Sequence, residues 1–476
     1  MTIDILPDNV FLDIFDFCLC QPDWESWDST GRIQRMKEWQ TLVHVCQRWR
    51  SLIYASPRRL DLYLRCSYET RVRKNLAYWP VTLPLIVDYG HPNHTPEDDD
   101  VLAALEHSGR VHRISIVGTD SLLRKVVKVM HKQFPALSHL SIDWNLNGSV
   151  PVIPKRFLGR SASQLQDLTL TLISLPHLPV LLSSARNLVT IMFEDIFQDG
   201  HAYISPKVLA EALAMLPNLT FLYLTFHDDT STTDRSSPIR AILPSLTLFD
   251  YRGCSNYLED FLARLDAPRV DCVEIELFPE HDYRAPQLFW FLNRTENLKS
   301  DQFRRARLFF LPKNSDFSFK LDDPTGNCCQ GQLSLEMWRG VPVLDLVHIL
   351  CQLTATFSKV DHLSVHGDHD GLGEMDSTEW LPFLRQFPAV ETLHLSGGVA
   401  AYIVSAIERT ADSITDLLPA LHRIWLEDRQ NDDDDDVPVP VGSIERFLSL
   451  RQLSGRPVTI VNTHDEFVEA TDRKTL

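Results

Sequence analysis

The chain has 476 residues, 44% of them hydrophobic and 23% charged, which is enough apolar material to bury a large core and argues against wholesale disorder. Its 46 basic and 64 acidic residues leave a formal charge of -18, which repels phosphate backbones and anionic lipid over most of the surface, so neither nucleic acid nor a membrane is an expected partner. Length alone does not set the number of domains, because repeat architectures pack each unit only on its neighbours.

Nine cysteines, at positions 18, 20, 46, 66, 254, 272, 328, 329 and 351, include no C-x-x-C pair and suggest neither a disulfide framework nor a zinc site. The opening Met-Thr-Ile-Asp-Ile-Leu-Pro-Asp has neither the basic region nor the apolar core of a secretory signal. No run approaches the roughly 18 apolar residues of a membrane span. A reducing cytoplasm or nucleus is the expected location.

The chain begins with Leu6-Pro7-Asp8, in which proline opens a helical turn and an acid favours the helix start. Val10, Phe11, Ile14, Phe15 and Cys18 then fall three or four apart and predict one amphipathic helix. A second helical stretch is predicted over Trp39 to Tyr54, with Leu42, Val43, Cys46, Trp49, Leu52 and Ile53 in the same rhythm. Between them, Cys20 to Trp39 is a polar and tryptophan-bearing insertion. A basic cluster follows, of Arg48, Arg50, Arg58, Arg59, Arg65, Arg71, Arg73 and Lys74, and reads as a solvated helical face or a local patch for an acidic partner.

From residue 111 one pattern keeps returning: apolar, two variable residues, then apolar, variable, apolar. It appears around Ile114, Leu140, Leu168, Ile191, Leu222, Phe249, Val273, Leu363, Leu393 and Ile424, with weaker copies at Leu85, Leu308, Leu335 and Val458. The steps run from 23 to 35 residues and average about 29. Each apolar-variable-apolar core predicts a short strand, and the intervals carry helical periodicity, so one strand and one helix are expected per step. The clearest helix is Ser205 to Leu216, with Ser205 as cap, Pro206 in the first turn, and Val208, Leu209, Ala212, Leu213 and Leu216 on one face. Leu216-Pro217 is expected to stop it, because a residue before proline is pushed out of the helical region, and the same logic applies at Phe134-Pro135, Leu243-Pro244, Phe387-Pro388 and Leu418-Pro419.

Evenly spaced strands joined by helices predict an α/β solenoid, with a parallel inner sheet and outer helices. This resembles the leucine-rich repeat, although the Asn or Cys that usually follows the strand is mostly absent, so an irregular array is expected. An ordinary doubly wound domain is the alternative. The N-terminal residues Leu6-Pro7, Val10, Ile14-Phe15, Leu42, Val45-Cys46 and Gln47-Arg48-Trp49-Arg50-Ser51-Leu52 resemble the F-box, a three-helix motif. Trp49 to Arg58 is also similar to F-box and leucine-rich-repeat proteins of filamentous and mushroom-forming fungi.

That resemblance implies a small all-α domain over residues 1–60, followed by repeats over 61–476. It implies docking on a Skp-family adaptor, and through it on a cullin, by a face that Leu6, Pro7, Val10, Ile14, Phe15, Leu42, Val45, Cys46, Trp49 and Leu52 form or support. The repeats would hold an unidentified protein substrate for ubiquitylation. A ligase-independent scaffold, with the N-terminal helices capping the repeats, is the alternative. The substrate face is expected at the variable strand residues, such as Ser115, Ser141, Thr169, Met192, Tyr223, His394 and Trp425, which the pleat turns away from the leucines.

No G-x-x-x-x-G-K-[ST], G-x-S-x-G or H-E-x-x-H is present, so no catalytic role, cofactor or metal is expected. Asp368 to Glu379 places acids and a glycine like a calcium loop, but Leu372 occupies a liganding position and the segment follows a strand, so a polar loop is the better reading. Residues 431–436, which include Asp432 to Asp436, read as an extended acidic loop, and His91 to Asp100 and Asp228 to Ser237 as flexible insertions.

Overall fold

A computed structural model describes residues 5–18, 39–57, 59–60, 62–68, 72–89, 98–144, 150–197, 203–227, 240–278, 286–298, 303–311, 316–322, 332–337, 357–367, 380–409, 417–427 and 444–462. The predicted insertion after Cys20, the loops at 91–97 and 228–237, the calcium-like segment 368–379 and the acidic run 431–436 lie outside the described residues. The chain divides into two compact units, Met1–Ile204 and Ser205–Leu476. Among the described residues, no helix is long and apolar enough to cross a membrane.

The first unit opens with α1 (Asp8–Cys18) and α2 (Gln47–Ala55), with a short helical stretch at residues 39–42 before α2. The predicted continuous helix from Trp39 to Tyr54 is therefore interrupted. Cys46 has extended geometry and caps α2, its Sγ accepting the Trp49 N–H, which ends one helix and starts the next. There follow β1 (Leu64–Cys66), α3 (Val72–Tyr78), β2 (Leu85–Tyr89), α4 (Asp98–Glu106), β3 (Val111–Gly118), α5 (Asp120–Val129), β4 (His139–Trp144), β5 (Asp167–Thr171), α6 (Leu178–Ser184) and β6 (Thr190–Glu194). All six strands pair in parallel and in sequence order. Ile114, Leu140, Leu168 and Ile191 share one register row, as the repeat predicts.

The second unit begins with α7 (Pro206–Leu213), where Ser205 Oγ accepts the Val208 N–H and Pro206 takes the first helical position. Next come β7 (Phe221–Thr225), β8 (Ala241–Ile242), β9 (Leu248–Gly253), α8 (Ser255–Leu262), β10 (Leu265–Asp266), β11 (Cys272–Leu277) and α9 (Pro286–Arg294). The chain continues through β12 (Arg305–Leu311), β13 (Asp316–Asp322), β14 (Gln332–Met337), β15 (His362–Gly367), α10 (Trp380–Leu384), β16 (Thr392–Ser396), α11 (Val399–Arg409), β17 (Arg423–Glu427), α12 (Glu445–Leu453) and β18 (Thr459–Asn462). The main strand order is β7-β9-β11-β14-β13-β12-β15-β16-β17-β18. It departs from the expected one-strand, one-helix step between β11 and β15. There β12, β13 and β14 form an antiparallel meander that enters the sheet in reverse order.

Each unit is thus an α/β repeat array, with strands whose apolar side faces helices: α4 packs on β2, α8 on β9, and α11 on β15 and β16. The apolar parity of the strands is buried, for example at Leu222 and Leu224 and at Leu393 and Leu395, and only half-buried at Ile460 of β18. Four weak copies of the repeat are corrected by register. The row runs through Val87 rather than Leu85, Ala306 rather than Leu308, Leu333 rather than Leu335, and Ile460 rather than Val458. Every slip is of two residues, which leaves each side chain on its predicted face.

The Leu-Pro and Phe-Pro pairs do not stop helices, since α5, α7 and α10 end three or more residues earlier. They open a turn instead. Phe134, Leu216, Leu243, Ala267, Phe387 and Leu418 each accept, at 3.0 to 3.5 Å, the N–H three residues on, from Leu137, Leu219, Leu246, Val270, Val390 and Leu421. Proline is the second residue of all six turns, where its fixed φ fits, and both ends of every turn are buried. Just beyond, one carbonyl receives two successive N–H groups of the next repeat: Ser138 those of Gln166 and Asp167, Asp361 those of Glu391 and Thr392, Glu391 those of His422 and Arg423.

Arginines add further donors to the carbonyls of two turns. Arg110 donates from Nε and Nη2 to Leu83 O at 2.9 and 2.8 Å and from Nη2 to Pro80 O at 3.0 Å. Arg451, fully buried, donates from Nη2 to Leu421 O at 2.9 Å and Leu418 O at 3.3 Å. Replacing Arg110 with Met keeps the stem and orphans the Leu83 carbonyl, while Pro80 O keeps the Leu83 N–H. The variant should lose about 1 to 3 kcal/mol of stability, read as a lowered urea midpoint by circular dichroism.

Candidate functional site

Two surfaces carry the predicted docking residues. At the N-terminus, Arg48 Nη2 donates to Leu6 O and to Asp8 Oδ1, both at 2.7 Å, and its guanidinium lies 4.7 Å from the Phe11 ring centroid. This holds residues 6–8 beside the start of α2. Behind that clamp Trp49 packs edge-on against Phe15, with centroids 4.8 Å apart, and against Phe11 at 5.9 Å. Phe11, Leu12, Phe15, Trp39, Val43 and Ile53 form one core with Leu60, Leu62 and Leu83, and Trp79 packs on it against Trp39 and Tyr54. The helices and the first repeats therefore share a hydrophobic core.

The ten predicted residues fall into three groups. Phe15 is fully buried and supports the surface from behind. Leu6, Val10, Ile14, Leu42, Cys46, Trp49 and Leu52 are half-buried, and Leu6, Leu42, Trp49 and Leu52 pack on the core. Pro7 and Val45 are exposed. Ile5 and Phe17 are also exposed, at 74% and 86%, and were not singled out from sequence because they fall off the stripe of Phe11 and Phe15. The neighbouring basic cluster is largely neutralised: Arg48 pairs with Asp8, Arg59 with Asp13, Arg65 with Asp88 and Arg73 with Asp99, so most of its described members do not form a patch.

The strand residues opposite the core make the second surface. In the first unit Ser115, Ser141, Thr169 and Met192 stand in one register row with Asp88, and all are half-buried. Beside them His139 Nε2 lies 2.8 Å from Asp167 Oδ2. In spite of its partial burial, Asp167 is held below the usual carboxylate range by hydrogen bonds from His139 and Thr190.

In the second unit Tyr223, Asp250, Glu274 and Ser334 form a row over β7, β9, β11 and β14, and Lys320, Arg307, Ser364, His394 and Trp425 continue it over β13, β12, β15, β16 and β17. Asp250 is 9% exposed. Burial pushes its carboxyl up to about 6, with Glu274 and Glu276 adding to the effect and Arg252 opposing it. Arg252 reaches Glu276 at 3.3 Å and Asp250 at 3.7 Å, and lies over the Tyr223 ring. On the other side of the face, Phe309 stacks on His366, which meets His394 edge-on at 5.1 Å. Burial lowers the His394 pKa, against the pull of Glu427. Sequence reading placed Tyr223, His394 and Trp425 on this face but missed Asp250, Arg252, Arg307 and His366, whose parity in the strands was the available signal.

Among the described residues no group of three or more His, Cys, Asp or Glu side chains could hold a metal ion. No family model matches the sequence, and no curated protein matches it. Among solved structures the chain is similar to the leucine-rich repeat-containing protein LegL7 from Legionella pneumophila, at 13% identity and a TM-score of 0.27, covering 83% of this chain and 99% of that one. It is also similar to the Rad7 and Elc1 complex in yeast, at 12% identity and a TM-score of 0.32, covering 96% of this chain and 94% of that one.

Two outcomes follow from the geometry. Phe15→Ala should cost about 3 to 5 kcal/mol in urea unfolding, whereas Val45→Asp, being exposed, should stay within about 0.5 kcal/mol of the parent. For Asp250 the folded-state pKa is raised, so its contribution is fully present below the ordinary carboxylate pKa and is lost as pH rises through about 6. Asp250→Asn should match the parent near pH 4 and exceed it near pH 7.5 by up to about 3 kcal/mol, measured as the difference in unfolding free energy at the two pH values.

Proposed function

We propose that this chain is a non-catalytic substrate adaptor of a ubiquitin ligase of the Skp/cullin type, with the N-terminal helices docking a Skp-family protein and the repeat strands recruiting a protein substrate. The observation that carries the reading is the exposure of three apolar residues, Ile5, Pro7 and Val45, on a helical domain whose core is already filled by Phe11, Phe15, Val43 and Ile53. Where apolar residues left outside a complete core come together, they mark a partner surface. The F-box resemblance of Leu6 to Leu52 supports the identity of that partner. The sheet faces support recruitment: they are lined by polar and aromatic side chains at the parity that the core does not use.

A specific observation also favours the scaffold reading, in which the helices cap the first repeat: Leu60, Leu62, Leu83 and Trp79 close the same core. The two readings diverge in one experiment, co-purification of the intact chain with a Skp-family adaptor, beside a Pro7→Asp, Val45→Asp double variant shown by circular dichroism to remain folded. Both substituted residues are exposed, so the variant separates docking from folding better than a change at half-buried Trp49. The adaptor reading expects a stoichiometric complex that weakens about a hundredfold in the variant. A folded intact chain that forms no complex would leave the capped scaffold as its function.

A further inference from the structure

On the sheet of the second unit, four strands carry basic and aromatic side chains on the face opposite the core. Ala306 and Leu308, Leu363 and Val365, Leu393 and Leu395, and Ile424 and Leu426 are buried on one side. The alternate positions are Arg305, Arg307 and Phe309 on β12, His362, Ser364 and His366 on β15, Thr392, His394 and Ser396 on β16, and Arg423, Trp425 and Glu427 on β17. Arg305, Arg307 and Arg423 are exposed. Glu427 is the facing carboxylate of these strands among the described residues, and it lies 3.6 Å from His394 Nε2. Asp361, at the entry to β15, is held by Arg304 and His362.

The face changes sign along the sheet. Asp250, Glu274, Glu276 and Glu336 line β9, β11 and β14, with Arg252 tied among them. Lys320, paired with Glu336 at 3.2 Å, marks the boundary on β13. A chain with a formal charge of -18 therefore exposes a basic strip with an aromatic spine, Phe309, His366, His394 and Trp425. Charges farther away than the screening length of about 8 Å at physiological salt contribute little, so a partner at this strip meets its arginines and not the net charge.

We propose that the face of β12, β15, β16 and β17 docks an acidic peptide segment that carries an aromatic or aliphatic side chain, a recruitment site within the repeat surface assigned above and resting on that reading. The carboxylates would pair with Arg307 and Arg423, and the apolar side chain would settle on Trp425 and the Phe309–His366 stack. Four strands at about 4.8 Å spacing span roughly 14 Å, the length of four or five extended residues. A polyanion with many phosphates would extend over the acidic strands beyond β13 and be repelled there, which favours a short acidic peptide over nucleic acid.

The test is fluorescence anisotropy on the intact chain alone, with a labelled Glu-Asp-Glu-Phe-Asp-Glu-Asp peptide, a basic peptide of equal length, and a single-stranded RNA of comparable charge. Saturable binding of the acidic peptide is expected, weakening as salt rises from roughly 50 to 300 mM, and about tenfold or more in an Arg307→Glu, Arg423→Glu variant. Trp425→Ala, with an unchanged circular dichroism spectrum, should weaken it by a similar factor. Absence of saturable binding, equal binding of the basic peptide, tighter binding of the RNA, or indifference to both variants would overturn the proposal. Because no adaptor is present in the titration, its result is independent of whether the N-terminal helices bind a Skp-family protein.

Discussion

In most described repeats the closing turn ties one hydrogen bond to two buried side chains, and the rest of the architecture is held in place by that coupling. Phe134 and Leu137, Leu216 and Leu219, Phe387 and Val390 each sit at the two ends of such a turn, below 2% exposure. Unwinding a turn would expose two core residues and leave a carbonyl unpaired, costs of about 1 to 3 kcal/mol apiece. The turn delivers the chain to the strand at a fixed point, and the doubly accepting carbonyls of Ser138, Asp361 and Glu391 then set the register of the next repeat. Repeat length can vary because the variable part lies outside this junction.

Register in turn fixes faces. Once Leu222, Phe249 and Val273 align, every second residue points to the helices and the rest do not. Even the reversed meander obeys this, since Leu333, Leu321 and Ala306 continue the row from Val273 to Leu363 although β13 runs antiparallel. The core is therefore uninterrupted across an irregular insertion. So is the opposite face, on which Glu274, Ser334, Lys320, Arg307 and Ser364 follow one another.

This division explains what could be read in the sequence. Ten strong copies of the repeat are in their true rows because each has apolar residues on both sides of the variable position and a turn just before it. The weak copies at Leu85, Leu308, Leu335 and Val458 slipped by two, since strand periodicity is blind to shifts of two and only the hydrogen-bonded junction distinguishes them. The meander was hidden for the same reason: period two carries no direction. In the N-terminal domain, the break at Cys46 escaped because a capping cysteine looks like one more apolar residue in a helical rhythm. Proline was assigned to helix termination by its effect on the preceding residue, whereas its fixed φ serves the turn.

The surface residues were legible by position and not by chemistry, because charge on a repeat face is a property of neighbours about 29 residues apart. Arg252 and Arg423 read alike in the sequence. The first lies between Asp250 and Glu276 and is neutralised, while the second is exposed beside Trp425 and has one facing carboxylate on its strand. The arginines at 48, 59 and 65 form a cluster along the chain, yet each is matched to an acid 23 to 46 residues away. A linear run of like charge thus overstates a patch, and a patch assembled across strands is invisible as a run. What selects between the two is the register set by the turns, so the same junction that builds the core also decides which charges a partner can meet.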